Sequence, residues 1–149
     1  MDQGPIPPSR GFCYGAKVIN TNPGLKYPVC IIEDDASVRS ALRRLLLAYG
    51  ISSEAYANTE SFLKTVPACQ CACIIADVRM PGMGGLKLQQ HLLDRGIRTP
   101  FIFVTASEDE ETRAEAKRMG SVAYFRKPID DQALIDAIRW ALSKEKDPE

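Results

Sequence analysis

The stretch CACIIADVRMPGMGG, residues 71–85, decides the fold. Its first six residues form a continuous apolar run, which is typical of a central parallel strand covered on both faces. Asp77 follows this run directly, and a turn at 80–85 leads into the helical pattern LKLQQHLLDRG. The stretch therefore predicts one βα unit with a carboxylate at the carboxyl end of its strand.

The same alternation occurs five times along the chain. Strands are predicted at 27–32, 52–56, 71–76, 101–106 and 122–125, and helices at 36–49, 59–66, 86–96, 107–119 and 130–143. Ser107 and Glu110 have the spacing of a capping box, which predicts that the fourth helix begins there. Five βα units predict an α/β fold, a doubly wound five-stranded parallel sheet with five helices.

Composition limits the class of protein. A chain of 149 residues with 45% apolar and 26% charged residues suits one soluble domain with a sizeable core. Nineteen basic and nineteen acidic residues cancel, which argues against a dominant surface for nucleic acid or anionic membrane. Five cysteines cannot all pair, which favours a reducing compartment. We therefore expect a cytoplasmic domain with no membrane partner and no direct nucleic-acid partner.

The chain divides into three parts. Residues 1–27 contain repeated glycine and proline without a sustained period, which predicts a flexible N-terminal arm. Residues 28–143 carry the five βα units and form the predicted domain. Residues 144–149, KEKDPE, are predicted to be a charged tail.

The residues that follow the predicted strands carry charges or a hydroxyl group. They are Glu33, Asp34 and Asp35 after the first strand, Asp77 after the third, Thr105 after the fourth and Lys127 after the fifth. The carboxyl ends of parallel strands meet at one edge of a sheet, so these side chains are expected to converge. Neighbouring carboxylates repel, and a cluster of oxygen ligands without His or Cys favours a hard cation such as Mg²⁺.

Four motifs at these positions carry a family resemblance. They are IEDD–x3–R from Glu33 to Arg39, DVRMPGMGG at 77–85, VTAS at 104–107 and AYFRKP at 123–128. In this order and spacing they resemble a bacterial two-component response-regulator receiver domain over about residues 28–143. The resemblance implies a flavodoxin-like, CheY-like sheet and a signalling function, with a sensor histidine kinase or a phosphotransfer protein as partner.

The resemblance also implies a role for each residue of the site. Asp77 would be the phosphoacceptor, and Glu33, Asp34, Asp77 and the backbone carbonyl of Arg79 would hold Mg²⁺. Glu33 departs from the more usual aspartate, and Asp35 is expected to cap the first helix.

Lys127 and Thr105 would bind the phosphoryl oxygens, and Tyr124 matches the aromatic residue that turns inward when the threonine moves. Tyr124 also fits a plain core residue of the fifth strand. Lys127–Pro128 is predicted as a cis peptide bond, since only an X-Pro bond adopts that form at low cost.

Two other functions compete with the phosphoacceptor. An aspartyl-phosphate phosphatase would be expected to carry the motif D-x-D after its first strand. Neither Asp34-Asp35-Ala36 nor Asp77-Val78-Arg79 matches that motif. A docking module that is independent of phosphorylation is disfavoured because every acceptor-site residue is present.

Two further features of the sequence allow a structural and a functional interpretation. Cys69, Cys71 and Cys73 form C-x-C-x-C, but the spacing is not that of a zinc site, so core positions at the start of a buried strand are favoured for Cys71 and Cys73. Trp140 points away from the apolar face of the last helix and is predicted to be at least partly exposed. It either lies flat on neighbouring side chains or anchors a partner, in a homodimer through the fourth helix, fifth strand and fifth helix or with an effector.

Overall fold

The computed structural model describes residues 27–65, 70–107 and 109–146. The strands are β1 (Val29–Ile32), β2 (Ser53–Tyr56), β3 (Cys73–Asp77), β4 (Phe101–Thr105) and β5 (Ala123–Arg126), and the helices are α1 (Ala36–Ala48), α2 (Thr59–Thr65), α3 (Gly85–Asp94), α4 (Glu110–Arg118) and α5 (Asp131–Lys146). All five strands are parallel and form one sheet in the order β2-β1-β3-β4-β5. The predicted α/β class is confirmed.

Burial along the strands follows their place in the sheet. Every residue of β1, β3 and β4 is buried, because these central strands are covered on both faces. The edge strands β2 and β5 are only partly buried. The continuous apolar runs in the sequence therefore mark the central strands.

Helices cover both faces of the sheet, and each face has its own apolar cluster. The α1–α5 cluster contains Leu42, Leu46, Leu134, Ile135 and Ile138, and the α2–α3–α4 cluster contains Phe62, Leu88, Leu92 and Ala116. Successive strand residues point to opposite faces, so Ile75 joins the α1–α5 cluster and Ile74 the α2–α3–α4 cluster. Each fully buried Leu or Ile contributes about 1.5–3 kcal/mol of transfer free energy.

The end of α1 shows how the sequence stops a helix. Gly50 has φ of +74°, which a residue with a Cβ adopts only under strain. Its N–H donates to the Leu47 carbonyl and the Ile51 N–H to the Leu46 carbonyl, both at 2.9 Å, which is a Schellman ending. α3 and α4 end in the same way, at Gly96 and Gly120.

The start of α4 differs from the prediction. Asp109, and not Ser107, is the N-cap residue, and its carboxylate accepts from the Glu111 N–H. The predicted capping box at Ser107 and Glu110 is therefore wrong. Ser107 stays in the preceding loop because both its N–H and its carbonyl bond to the Thr105 hydroxyl.

Several other boundaries shift by a few residues. β3 begins at Cys73 instead of residue 71, and α5 continues to Lys146, so the first three residues of the predicted charged tail are helical. The predicted N-terminal arm lies outside the described residues except for Tyr27, which packs against the α1–α5 cluster. None of the helices in the described ranges has the length and apolarity to span a bilayer.

The turn between β3 and α3 leaves no room for a side chain at Gly84. A Cβ at Gly84 would lie 2.4 Å from the Val78 carbonyl oxygen. We expect Gly84→Ala to lower the free energy of unfolding by about 1–3 kcal/mol, because backbone has to shift to relieve the overlap. Urea unfolding measures the change. Leu47→Ala, at a side chain that is 66% exposed on α1, is the control and should stay within about 0.5 kcal/mol of wild type. An unchanged stability of Gly84→Ala would contradict the close approach.

Candidate functional site

Three carboxylates meet at the carboxyl edge of the sheet. Glu33 and Asp34 follow β1, and Asp77 ends β3, which is the neighbour of β1 in the sheet. One carboxylate oxygen from each of the three lies within 4.8 Å of the others. Glu33 and Asp77 are buried, whereas Asp34 is exposed. The predicted convergence of these side chains is therefore observed. Among the described residues, the carboxylate oxygens of Glu33, Asp34 and Asp77 lie close enough together to hold a metal ion.

Lys127 supplies the positive charge of this site. Its Nζ lies 2.9 Å from Oε1 of Glu33 and 3.0 Å from Oδ2 of Asp77. The Lys127 N–H donates to the Thr105 carbonyl at 2.8 Å, which continues the pairing of β4 and β5 and aims the side chain across the sheet edge. The peptide bond from Lys127 to Pro128 is cis, as predicted.

The charges of this cluster change each other's ionisation. Burial raises the pKa of Glu33 above its ordinary value, although the ion pair with Lys127 acts in the opposite direction. For Lys127, burial lowers the pKa, but hydrogen bonds to Glu33 and Asp77 outweigh it and raise the pKa. The ammonium therefore stays charged and neutralises part of the carboxylate repulsion.

Asp35 and Arg39 hold the loop that carries the acidic pair. Asp35 is the N-cap of α1, as predicted, and its side chain accepts from the Ser37 and Val38 N–H groups. Arg39 donates to the Glu33 carbonyl at 2.8 Å. The sequence motif marked Arg39 only by its spacing, and the structure shows that its guanidinium positions the backbone of the loop that carries Glu33 and Asp34.

The loop after β3 fixes the orientation of the Asp77 carboxylate. The Arg79 N–H donates to Asp77 Oδ1 at 3.0 Å, which leaves Oδ2 toward Lys127. The Val78 N–H donates to the Val104 carbonyl at 2.9 Å and holds this loop against β4. The Arg79 carbonyl as a metal ligand stays a prediction.

Thr105 and Tyr124 lie on the neighbouring strands β4 and β5. Thr105 is buried at the carboxyl end of β4, and its hydroxyl contacts the Ser107 carbonyl and N–H at 3.2 Å. Tyr124 pairs in register with Phe103 and packs against the α2–α3–α4 cluster. The Arg113 guanidinium of α4 lies 4.9 Å from the centre of the Tyr124 ring. Tyr124 is thus a packed residue that links β5 to α4.

Asp109 was not found by sequence reasoning. Its carboxylate caps α4 and accepts from the Arg79 guanidinium at 2.8 Å, so it ties the loop after β3 to α4. A hydrogen bond from the Thr112 hydroxyl lowers the pKa of Asp109. An aspartate next to a helical pattern signals a cap, but nothing local to the sequence signals an ion pair that spans 30 residues.

The two remaining predictions are borne out in part. Trp140 is 54% exposed on α5, as expected. Cys71 and Cys73 are buried, in agreement with core positions, whereas Cys69 lies outside the described residues.

Comparison with known proteins decides the class of the chain. The family model for the response regulator receiver domain matches residues 29–139. The chain belongs to this family. The matched range covers β1 to the middle of α5, so this receiver domain contains the whole sheet and the acidic cluster.

Named relatives of this receiver domain are bacterial regulators. The transcriptional regulatory protein TdiR of Thauera aromatica is 35% identical over 123 residues, which cover 83% of this chain and 54% of TdiR. The response regulator protein TodT of Pseudomonas putida is 38% identical over 114 residues, which cover 76% of this chain and 50% of TodT. The receiver domain thus spans about half the length of these curated relatives.

Solved structures of response regulators share the fold. The response regulator StyR superposes with a TM-score of 0.75 at 36% identity, over 80% of this chain and 61% of StyR. The structure of FixJ-N superposes with a TM-score of 0.72 at 32% identity, over 80% of this chain and 95% of FixJ-N. The predicted resemblance to receiver domains is therefore confirmed.

The buried Glu33 predicts a pH dependence of stability in the metal-free protein. Because the folded state raises the pKa of Glu33, its contribution to stability is present below about pH 4.5, its ordinary pKa, and is lost as pH rises through the raised pKa. Glu33→Gln removes this titration. We expect the variant to gain stability relative to wild type as pH rises from 4.5 to 7, measured by urea unfolding in chelator. A constant difference between the two proteins over that range would contradict the assignment.

Proposed function

We propose that this receiver domain accepts a phosphoryl group on Asp77 from the phosphohistidine of a sensor histidine kinase or of a phosphotransfer protein. One observation carries the proposal. The Asp77 carboxylate is buried with one oxygen 3.0 Å from Lys127 and lies in a group with Glu33 and Asp34 that spans 4.8 Å. In the transfer, a carboxylate oxygen of Asp77 forms the bond to phosphorus while the phosphorus–nitrogen bond of the donor breaks, and its electron pair returns to the imidazole.

The same group of oxygens supports Mg²⁺ as the cofactor. Three carboxylates repel each other, and an all-oxygen donor set suits a hard divalent cation. Glu33, Asp34, Asp77 and the Arg79 carbonyl would hold it. When bound, the ion offsets the charge repulsion between the carboxylate and the incoming phosphoryl group.

Lys127 and Thr105 are proposed to bind the phosphoryl oxygens. Lys127 already forms an ion pair with Asp77, with Nζ 3.0 Å from Oδ2. A charge-assisted hydrogen bond from its ammonium to a phosphoryl oxygen is stronger than a neutral one. The Thr105 hydroxyl donates to the Ser107 carbonyl at 3.2 Å, which is long for an O–H···O hydrogen bond, so exchanging this bond for one to a phosphoryl oxygen is favourable.

Movement of Thr105 is proposed to reach α4 through Tyr124. Ala116 is the buried residue of α4, so few apolar contacts oppose a shift of this helix. The Arg113–Tyr124 contact and the Arg79–Asp109 ion pair join α4 to β5 and to the Asp77 loop. Both contacts would have to rearrange when α4 moves.

The cellular setting is proposed from the relatives. TdiR and FixJ are named transcriptional regulatory proteins, and we propose that the signal of this receiver domain likewise ends in transcription. The 149-residue chain carries no formal net charge, and direct contact with nucleic acid is not proposed. We also propose a cytoplasmic location, which the likeness to these regulators supports.

Asp77→Asn tests the acceptor site. We expect no phosphoryl label from acetyl phosphate and Mg²⁺, because the amide is not a nucleophile for phosphorus, whereas wild type gives a hydroxylamine-labile adduct.

Asp34→Asn should weaken Mg²⁺ binding at least about tenfold in calorimetry, because it removes one ligand charge. The matched control is Asp35→Asn, which removes a charge next to Asp34 but keeps the helix cap. Labelling of Asp77→Asn at the wild-type rate would refute the acceptor assignment. An equal loss of Mg²⁺ affinity in Asp35→Asn would refute the choice of Glu33 and Asp34 as the acidic pair.

Trp140 is proposed to anchor a phosphorylation-dependent contact, either in a homodimer through α4, β5 and α5 or with an effector. If so, Trp140→Ala should weaken association by at least about 2 kcal/mol, since a buried tryptophan dominates interface energies. Sedimentation with and without beryllofluoride, a phosphoryl mimic, measures the homodimer, and pulldown measures partner capture. Leu47→Ala, another exposed apolar side chain, is the control. Unchanged association in both states would leave Trp140 as a surface residue that only covers its neighbours.

A further inference from the structure

Three buried thiols lie in the described part of the chain and take no part in the acceptor site. They are Cys30 on β1, Cys71 just before β3 and Cys73 at the start of β3. Cys30 and Cys71 belong to the α2–α3–α4 cluster, whereas Cys73 belongs to the α1–α5 cluster on the opposite face of the sheet. The sheet therefore separates one pair of thiols from the third.

The two thiols on the same face are in direct contact. The Sγ atoms of Cys30 and Cys71 are 2.7 Å apart. A disulfide bond measures about 2.05 Å, so the sulfurs need to approach by roughly 0.7 Å to bond. The flanking backbones are already held together, because the Ala72 N–H donates to the Pro28 carbonyl at 2.8 Å and Cys30 pairs in register with Ile74. A bond between these sulfurs therefore requires little movement of the backbone.

We propose that Cys30 and Cys71 form a reversible oxidation site that hydrogen peroxide or a related hydroperoxide converts to a disulfide. If the two cysteines served only as small apolar core residues, their burial would be explained, but the direct contact between their Sγ atoms would not be needed. In a reducing compartment the pair would be held as thiols, and a disulfide would form only under oxidation. The proposal does not depend on the phosphoacceptor function of Asp77.

The chemistry balances with the peroxide as the sole oxidant. Cys71 is the more exposed residue of the pair, at 5% against 0% for Cys30, so we take it as the first to react. Its thiolate attacks one peroxide oxygen, which forms a sulfenic acid and releases hydroxide. The Cys30 sulfur then attacks the sulfenic sulfur, forms the disulfide and releases water. In sum, two thiols lose two electrons and two protons, and one hydrogen peroxide becomes two waters; an organic hydroperoxide would become one alcohol and one water.

The bond would link β1 to the segment that leads into β3. Cys71 precedes β3 at the amino-terminal edge of the sheet, whereas Asp77 ends β3 at the carboxyl edge. Because the loop between the two cysteines spans 41 positions, closing it restricts the unfolded chain. The disulfide should therefore stabilise the sheet without covering the acidic cluster.

Peroxide treatment of the full chain, followed by alkylation and peptide mapping, tests the proposal. We expect a product that has lost two hydrogens, a cross-linked Cys30–Cys71 peptide and recovery of both thiols with dithiothreitol. The melting temperature should rise by about 10 °C on oxidation and fall again on reduction. A cross-link of Cys71 to Cys13 or Cys69 would overturn the proposal. So would unreacted Cys30 and Cys71 thiols at a peroxide dose that oxidises free glutathione.

Alanine variants separate this pair from general thiol oxidation. The oxidation-dependent rise in melting temperature should disappear in Cys30→Ala and in Cys71→Ala. Cys73→Ala is the matched control, since it removes an equally buried thiol on the other face, and it should keep the rise. Loss of the rise in Cys73→Ala would contradict the pairing. If an alanine variant does not fold, the map of the wild-type cross-link still decides the result.

Discussion

The ion pairs of Lys127 with Glu33 and Asp77 are the interaction on which the site depends. Two buried carboxylates at the ends of β1 and β3 would repel each other across the edge of the sheet, and the ammonium that follows β5 lies within 3.0 Å of both. Removing one partner of a buried ion pair costs more than the pair contributes, because the remaining charge stays without compensation. The placement of Lys127 therefore allows the central strands to end in acidic residues.

Sequence reasoning succeeded where a local pattern reports a physical requirement. The continuous apolar runs identified the central strands because both their faces are covered, and Gly50 marked the end of α1 because its backbone is left-handed. The convergence of the three carboxylates with Lys127 followed from one rule, that the carboxyl ends of parallel strands share an edge. Four motifs in order then indicated the family, which the match to residues 29–139 confirmed.

The errors share a cause, which is competition from contacts distant in sequence or not visible in a pattern. Ser107 satisfies the spacing of a capping box, but its backbone bonds to Thr105, so Asp109 caps α4 instead. The ion pair of Asp109 with Arg79 and the contact of Cys30 with Cys71 span 30 and 41 positions. Such contacts depend on how two loops or strands are placed relative to each other, which no single stretch of sequence records.

The division of the interior by the sheet has a consequence for how a signal leaves the domain. Because the buried strands separate the two apolar clusters, a displacement of α4 changes the packing of one face only. For the proposed shift of α4, we expect α1 and α5, which pack in the other cluster, to keep their positions and provide a fixed reference. A partner that contacts both α4 and α5 could therefore distinguish the two states by the angle between these helices. Contact with only one of the helices would not report that angle.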